Sequence, residues 1–171
     1  MSENIKTRLK HITTLMFDID GVMTDGKVYF LPDGTPTRSL NNKDSYAIQL
    51  AAKKKYRLVV ISGGSSEIVK TALLRLGITH VFLKQHDKLS CYKDFISEHA
   101  LQDENILYMG DDLPDYEVMS RVGIACCPAD AATEIKDISI YISDKKGGEG
   151  CVRDIIEQVL RVRGDWEIAH W

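Results

Sequence analysis

Short apolar runs alternate with longer amphipathic stretches along this chain. An apolar, often β-branched run that stops at glycine or a polar residue is typical of a buried parallel strand. A longer stretch with apolar positions three and four apart is typical of an amphipathic helix. We therefore predict strands at residues 12–18, 57–62, 80–83, 105–109, 123–127 and 138–142. Helices are predicted at residues 42–55, 66–76, 87–99, 116–121 and 151–162, with a short alanine-rich helix after Pro128.

This alternation predicts the fold class. Strands that alternate with helices form βαβ units, so we expect an α/β fold with a three-layer, Rossmann-like parallel sheet and helices on both faces. At this length, residues 1–171 are expected to form a single domain. Pro32-Asp33-Gly34 between two extended stretches predicts an inserted β-hairpin at residues 27–40, directly after the first strand. The glycine-rich residues 145–150 are expected to form a loop, for which a flexible loop without a role is the simpler alternative, and the tail at 163–171 has no predicted structure.

Composition narrows the class of protein. The net charge is -3 and no long basic run occurs, so neither nucleic acid nor an anionic membrane surface is expected as a partner. No apolar stretch approaches the ~20 residues that span a bilayer. The N-terminus has no signal-peptide core, which favours the cytoplasm. The four cysteines form no C-x-x-C pair and are expected to be reduced and structural. The histidines lack metal-ligand spacing, so zinc is not expected.

Two carboxylates, Asp18 and Asp20, follow the first predicted strand at a spacing of one residue. Such a pair can converge on one point as the strand ends, and the two charges repel unless a cation or a proton lies between them. A surface turn is the alternative, since Asp and Gly are common turn residues. An EF-hand calcium loop is excluded, because its fifth and sixth positions hold Val22 and Met23 instead of an oxygen ligand and glycine.

Other polar groups follow later strands. Ser62-Gly63-Gly64 and Gly110-Asp111-Asp112 each stand at a predicted strand end, and Asp115 follows shortly after. They have simpler interpretations as a tight turn and a helix cap, and Lys88 could be a solvated side chain. However, ligands of open α/β sheets bind at the carboxyl ends of the strands. Acids with a hard cation, a hydroxyl, backbone amides and a lysine together suit a phosphoryl group.

These residues resemble the four motifs of the haloacid dehalogenase-like phosphatases, and the resemblance spans nearly the whole chain. The matching positions are residues 18–22, Ser62, Lys88 and residues 110–112 with Asp115. The resemblance implies that Asp18 is the nucleophile and forms an aspartyl-phosphate. It implies that Asp20 protonates the leaving oxygen and then activates water.

The same resemblance assigns the remaining roles. Mg²⁺ would be held by Asp18, the main-chain carbonyl of Asp20, and Asp111. The transferring phosphoryl group would be bound by Ser62 and Lys88. Contacts to phosphate or substrate are expected from Gly63, Gly64 and Asp112, and Asp115 is expected to orient Lys88 or a water molecule.

The spacing of the motifs leaves no room for a cap domain, which needs roughly 50 residues. Only the hairpin separates Asp20 from the helix before Ser62, and barely one helix and one strand separate Ser62 from Lys88. An open site needs a cover, and a neighbouring subunit paired through the hairpin is expected to supply it. The hairpin could instead be an exposed decoration without a role in assembly.

A closer resemblance is to the capless 3-deoxy-D-manno-octulosonate 8-phosphate phosphatases of lipopolysaccharide synthesis. The stretches that carry it are residues 20–26, 42–44, 110–115 and 146–154. It implies a homotetramer whose hairpins form a central barrel and whose C-terminal segments reach a neighbour's site. The expected substrate is a small phosphorylated sugar acid, and the expected cofactor is Mg²⁺.

One position departs from that family. Many members have Arg after the second-motif Gly, where a guanidinium can read a carboxylate, but this chain has Gly64. The sister activity on 2-keto-3-deoxynononate 9-phosphate therefore stays open, although that group has an acid at this position. Two non-enzymatic alternatives are a phosphoacceptor signalling domain and an inactive binding scaffold.

Overall fold

A computed structural model describes residues 4–167. Within that range the chain forms seven α-helices and eight β-strands, numbered in chain order. The helices are α1 (Ile5–Lys10), α2 (Asn42–Lys53), α3 (Glu67–Arg75), α4 (Lys88–Glu98), α5 (Tyr116–Met119), α6 (Thr133–Ile138) and α7 (Cys151–Arg163). The strands are β1 (Thr14–Phe17), β2 (Tyr29–Phe30), β3 (Pro36–Thr37), β4 (Arg57–Ile61), β5 (His80–Phe82), β6 (Ile106–Met109), β7 (Ile124–Cys127) and β8 (Tyr141–Ile142).

Six of these strands form one parallel sheet in the order β5-β4-β1-β6-β7-β8. Phe17 at the end of β1 lies opposite Val60 of β4 and Met109 of β6, so the carboxyl ends of the three central strands are level. Parallel strands of this kind are buried on both faces, which explains their continuous apolar sequences. The predicted α/β fold with a parallel sheet is confirmed.

Helices cover both faces of the sheet. Leu15 and Phe17 of β1 pack into a core shared with α2, α3 and α7, while Met16 packs into a second core shared with α4, α5 and α6. Cys126 and Cys127 of β7 likewise belong to opposite cores. All four cysteines are free thiols. The two cores define the three layers of the fold.

One predicted strand was placed partly wrong. Residues 138–142 were expected to form a strand, but Ile138 is the last residue of α6 and the strand β8 comprises only Tyr141–Ile142. Ile138 packs against the second core from its helix, and Ile135 one turn earlier is fully buried there. The apolar residues of this segment therefore follow the spacing of a helix up to Ile138 and form a strand only at Tyr141–Ile142.

The segment at residues 27–40 contains the short antiparallel pair of β2 and β3, in which Tyr29 lies opposite Thr37 and Phe30 opposite Pro36. This pair is separate from the main sheet. Its apolar side chains are exposed, and Phe30 keeps 73% of its surface accessible. No helix within residues 4–167 is long and apolar enough to cross a membrane.

The glycine-rich loop at residues 145–150 packs against the turn that follows β1. The Gly148 amide donates to the Val22 carbonyl over 3.0 Å, and the Asn41 side chain donates to the Gly148 carbonyl over 3.0 Å. A Cβ atom at Gly147 would lie 2.0 Å from the Gly21 carbonyl oxygen, so only glycine allows this approach. The backbone contacts contradict the interpretation as a free, flexible loop. The helix α7 extends to Arg163, and residues 168–171 of the predicted tail lie outside the described residues.

Candidate active site

The level ends of the three central strands bring the predicted site residues together. Asp18 follows β1, Ser62 follows β4 and Asp111 follows β6 by two residues. These groups line one open cleft of about 460 Å³. Its wall comprises Asp18, Asp20, Gly26, Ser62, Gly63, Gly64, Gln85, His86, Lys88, Asp111, Asp112, Pro114 and Asp115.

A buried ionic network lies at the base of the cleft. The Lys88 ammonium is 2.8 Å from Asp18 Oδ2 and donates to Asp115 Oδ1 over 2.8 Å. Asp115 Oδ1 also accepts from the Tyr108 hydroxyl at 2.6 Å, and its Oδ2 accepts from the Asp111 amide at 3.2 Å. Asp18 Oδ1 accepts from the Ile19 amide at 2.7 Å. Lys88 starts α4, so the helix places its ammonium between the two carboxylates.

Asp111 has a different environment. Within residues 4–167 no hydrogen bond or ion pair reaches its carboxylate, whereas both oxygens of Asp115 are engaged. A Cβ atom at Gly21, whose φ is +86°, would lie 1.9 Å from Asp111 Oδ2. Gly110 allows a similar approach, because a Cβ there would lie 2.5 Å from the Asp115 Cβ. Gly21 thus lets Asp111 lie directly against the β1 turn, and Gly110 lets Asp115 fold back onto its own segment.

The acids repel one another. One oxygen each of Asp18, Asp111 and Asp115 lie within 4.8 Å of one another. Burial, with added repulsion from Asp18, Asp115 and Asp112, raises the pKa of Asp111 to about 8. Burial and then Asp115 raise the pKa of Asp18 to about 6, against the lowering effect of Lys88. Burial alone would lower the pKa of Lys88, but the two carboxylates outweigh it and the net shift is upward.

This donor set suits a hard divalent cation. Oxygen ligands from Asp18 and Asp111 are the type that Mg²⁺ prefers, and a cation between them would favour their ionised forms. Asp115 is the weaker ligand candidate, because Lys88, Tyr108 and the Asp111 amide already occupy its oxygens. Its contacts fit the predicted role of orienting Lys88.

The turn after β4 supplies neutral polar groups. Ser62 is almost fully buried, and its hydroxyl accepts from the Gly64 amide at 3.1 Å. Gly63 and Gly64 line the cleft, and a Cβ atom at Gly64 would lie 3.4 Å from Asp20 Oδ2. The helix α3 begins only at Glu67, with Ser66 as its N-cap, so these glycines form a connecting turn before the helix. Asp112 is exposed at the rim, and its side chain accepts from the Leu113 amide.

Asp20 does not join the carboxylate cluster. Its two oxygens pair with Arg38 from the hairpin, at 2.5 Å from Nε and 3.1 Å from Nη2. The Thr24 hydroxyl lies 3.4 Å from Asp20 Oδ1. Sequence reasoning identified neither Arg38 nor Tyr108 as a site residue. Arg38 belongs to no local motif, and Tyr108 occupies a buried position of β6 like that of any other core residue.

Comparisons with known proteins agree with this geometry. The sequence model of the haloacid dehalogenase-like hydrolase family matches residues 65–155. The 3-deoxy-D-manno-octulosonate 8-phosphate phosphatase of Salmonella typhi is 32% identical over 169 residues, which is 99% of this chain and 90% of that protein. A probable YrbI family phosphatase from Pseudomonas syringae superposes with a TM-score of 0.92 and 36% identity, over 97% of this chain and 94% of the other.

A third relative was crystallised with ligands. The 3-deoxy-D-manno-octulosonate 8-phosphate phosphatase of Moraxella catarrhalis, in complex with magnesium ion, phosphate ion and KDO, has a TM-score of 0.90 and 29% identity. The match covers 95% of this chain and 93% of that chain.

The fold and these matches define the chain as a haloacid dehalogenase-like hydrolase. More narrowly, it belongs to the family of the 3-deoxy-D-manno-octulosonate 8-phosphate phosphatases. Both the predicted family and the predicted enzyme class, a phosphoric monoester hydrolase, are confirmed. Membership of a hydrolase family sets aside the alternative of a phosphoacceptor signalling domain.

Proposed function

We propose that this protein is an Mg²⁺-dependent phosphomonoesterase that hydrolyses 3-deoxy-D-manno-octulosonate 8-phosphate to the free sugar acid, KDO, and phosphate, in lipopolysaccharide precursor synthesis. The observation that carries the proposal is the meeting of Asp18, Lys88 and Asp111 with the Ser62 turn in one cleft. The Moraxella catarrhalis relative, crystallised with magnesium, phosphate and KDO, supports both the metal and the sugar acid.

The phosphate end of the substrate is assigned to the base of the cleft. The Lys88 ammonium supplies positive charge beside Asp18, and the Ser62 hydroxyl and the Gly63 amide supply donors at the turn after β4, where the Gly64 amide holds the Ser62 hydroxyl. Phosphoryl transfer depends mainly on positioning and on neutralising charge, and this arrangement provides both. The exposed Asp112 lies at the rim, where the sugar would enter.

The metal is assigned to Asp111, whose carboxylate has no hydrogen-bond or ion-pair partner within residues 4–167, together with Asp18, whose Oδ2 lies 2.8 Å from the Lys88 ammonium. Asp18, Asp111 and the main-chain carbonyl of Asp20 would hold Mg²⁺. When bound, the ion supplies charge neutralisation at the phosphoryl oxygens and keeps the nearby carboxylates ionised.

The proposed reaction has two displacements. An oxygen of Asp18 attacks phosphorus, the bond from phosphorus to the sugar oxygen breaks, and Asp20 gives its proton to that oxygen. Water then attacks phosphorus in the aspartyl-phosphate, Asp20 takes a proton from it, and the bond to Asp18 breaks. Lys88 holds the phosphoryl group and Asp115 holds Lys88 throughout.

A homotetramer completes the proposal. The cleft is open, and the exposed apolar side chains of the hairpin, residues 28–31, offer a surface for assembly. A neighbouring subunit would then cover the site, which limits the access of water and gives the sugar a second wall. A cytoplasmic location is proposed with it, as the sequence predicts.

The second candidate substrate is 2-keto-3-deoxynononate 9-phosphate. Gly64 favours it to some degree, because a Cβ at this position would lie 3.4 Å from Asp20 Oδ2 and its absence widens the cleft beside that carboxylate. A longer sugar acid would use such space.

A phosphate-release panel with Mg²⁺ tests the proposal. The substrates are the octulosonate 8-phosphate, the nononate 9-phosphate, hexose phosphates and an aryl phosphate, with Asp18→Asn as the matched inactive control. Preference for the eight-carbon acid supports the proposal, and preference for the nine-carbon acid replaces it with the second candidate. Equal turnover of every substrate, or none, would refute both substrate assignments.

A further inference from the structure

The side chain of Arg38 reaches from the hairpin to the edge of the catalytic cleft. Its guanidinium contacts both carboxylate oxygens of Asp20, at 2.5 Å and 3.1 Å. Although the neighbouring strands β2 and β3 are largely exposed, the Arg38 side chain keeps only 15% of its surface accessible. A two-point contact from a planar guanidinium fixes the rotation of a carboxylate as well as its location.

The position of the Arg38 side chain is defined by its surroundings. It lines a small crevice with the apolar residues Ile19, Val69 and Leu83, against which an arginine stem can pack. Gly64 lines the same crevice and adds no side chain there. The guanidinium therefore lies between the hairpin and the turn after β4, next to the reacting groups.

Asp20 has few other restraints within the described part of the chain. The Thr24 hydroxyl contacts it only at 3.4 Å, which is a long distance for a hydrogen bond. Asp18, by contrast, is held by the Ile19 amide at 2.7 Å and by Lys88 at 2.8 Å. The sheet and α4 thus fix the nucleophile, whereas the hairpin fixes Asp20.

We propose that Arg38 is the positioning residue for the acid–base step. This inference rests on the proposed function, in which Asp20 gives a proton to the leaving sugar oxygen and later takes one from water. Arg38 touches neither the phosphoryl group nor the sugar in this role; it holds the Asp20 carboxylate where the leaving oxygen will be. The hairpin, whose apolar face is assigned to assembly, is then also a support of the active site.

Two types of substrate separate this role from a structural one. An alkyl phosphate such as a sugar phosphate needs its leaving oxygen protonated, whereas an activated aryl phosphate such as p-nitrophenyl phosphate departs as a stable anion. Arg38→Met should lower kcat/KM for the sugar phosphate by about 10²-fold, the scale of a misplaced catalytic group. It should leave kcat/KM for the aryl phosphate changed by less than about threefold, since proton donation contributes little to that first displacement. The hydrolysis of the shared aspartyl-phosphate, in which Asp20 acts as base for both substrates, does not enter kcat/KM. Arg38→Lys should recover part of the loss.

The control variants use the same protein. Lys27→Met removes one positive charge from the same segment, at a side chain that is 72% exposed and pairs with Asp25, and should change neither substrate's turnover. Asp20→Asn should show the same split between substrates as Arg38→Met. Adding Arg38→Met to Asp20→Asn should cause no further loss, because Arg38 acts through Asp20.

Three results would overturn the inference: equal loss on both substrates in Arg38→Met, a full additional loss in the double variant, or the same effect from Lys27→Met. The comparison needs only one alkyl phosphate that the wild-type protein hydrolyses. Failure on the octulosonate alone therefore refutes the proposed substrate and leaves the Arg38 test intact with another sugar phosphate. The aryl activity of each variant confirms that its site is folded.

Discussion

Replacing Gly21 by alanine should disable the metal site without unfolding the protein. A Cβ at Gly21 would lie 1.9 Å from Asp111 Oδ2 and 2.4 Å from its Cγ. Ordinary contact begins at 3.4 Å, so the carboxylate must retreat by 3.4 − 1.9, or about 1.5 Å. Misplacing a reacting group by an ångström costs on the order of 10² in rate.

The same substitution elsewhere provides the matched control. Gly34 in the hairpin also has a left-handed backbone, with φ +82° against +86° at Gly21, but a Cβ there meets nothing within 4 Å. Both variants bear the backbone cost of about 1–2 kcal/mol for a left-handed alanine. Only Gly21→Ala displaces Asp111, so the difference between the two variants isolates that displacement.

The assay measures phosphate release against Mg²⁺ concentration, together with Mg²⁺ binding by calorimetry. Gly21→Ala should raise the Mg²⁺ concentration for half-maximal activity by about 10- to 100-fold and weaken calorimetric binding in parallel. Gly34→Ala should match the wild type in both measurements. Equal behaviour of the two variants, or unchanged Mg²⁺ binding in Gly21→Ala, would refute the reasoning.

Three further predictions address stability and assembly. Lys88→Met should abolish phosphate release and lower the free energy of unfolding by about 3–5 kcal/mol, because it leaves Asp18 and Asp115 without their buried cation; wild-type stability in urea would contradict this. Burial raises the pKa of Asp44 to about 6 from 3.8, so its contribution to stability is complete below pH 3.8 and is lost as pH rises through 6. The free energy of unfolding of Asp44→Asn should therefore rise by up to about 3 kcal/mol relative to that of the wild type between pH 4 and pH 8. If urea titrations show that the difference in unfolding free energy between the two proteins is the same at every pH in this range, the burial argument is wrong. Phe30→Asp should reduce the oligomer in sedimentation experiments, because a charge would enter the exposed apolar face of the hairpin; an unchanged sedimentation coefficient would exclude that face from the interface.

The parts of the site that follow strands could be predicted from local patterns. Asp18, Ser62 and Asp111 each end or follow an apolar run, and a parallel sheet brings such ends to one edge. The register between β4, β1 and β6 then makes those ends level. No long-range information was needed for this step, because the rule depends only on the type of sheet.

Contacts that depend on chain folding back could not be predicted in the same way. Arg38 meets Asp20 across 18 residues of sequence because the segment after β3 returns to the turn that follows β1. Asp44 accepts from the Arg153 amide in the first turn of α7, which begins 107 residues later and has no side-chain cap of its own. Ile138 ends a helix where a strand was expected, since a short apolar run suits both periods. Each case is decided by a tertiary neighbour that no local pattern specifies.

The charges at the base of the cleft favour the proposed pairing of a divalent cation with an anionic substrate. With every acid ionised, Asp18, Asp111 and Asp115 carry three negative charges and Lys88 one positive charge, which leaves a sum of −2, while an ionised Asp20 cancels Arg38. A phosphate ester entering this site alone would be repelled at short range, where the surrounding protein weakens solvent screening. A divalent cation brings the sum to zero and offers its own charge to the phosphoryl oxygens. Protonation of Asp111, whose pKa burial and the neighbouring acids raise to about 8, would leave a sum of −1 and remove a ligand. In the proposed site, binding of phosphate would therefore depend on prior binding of the metal.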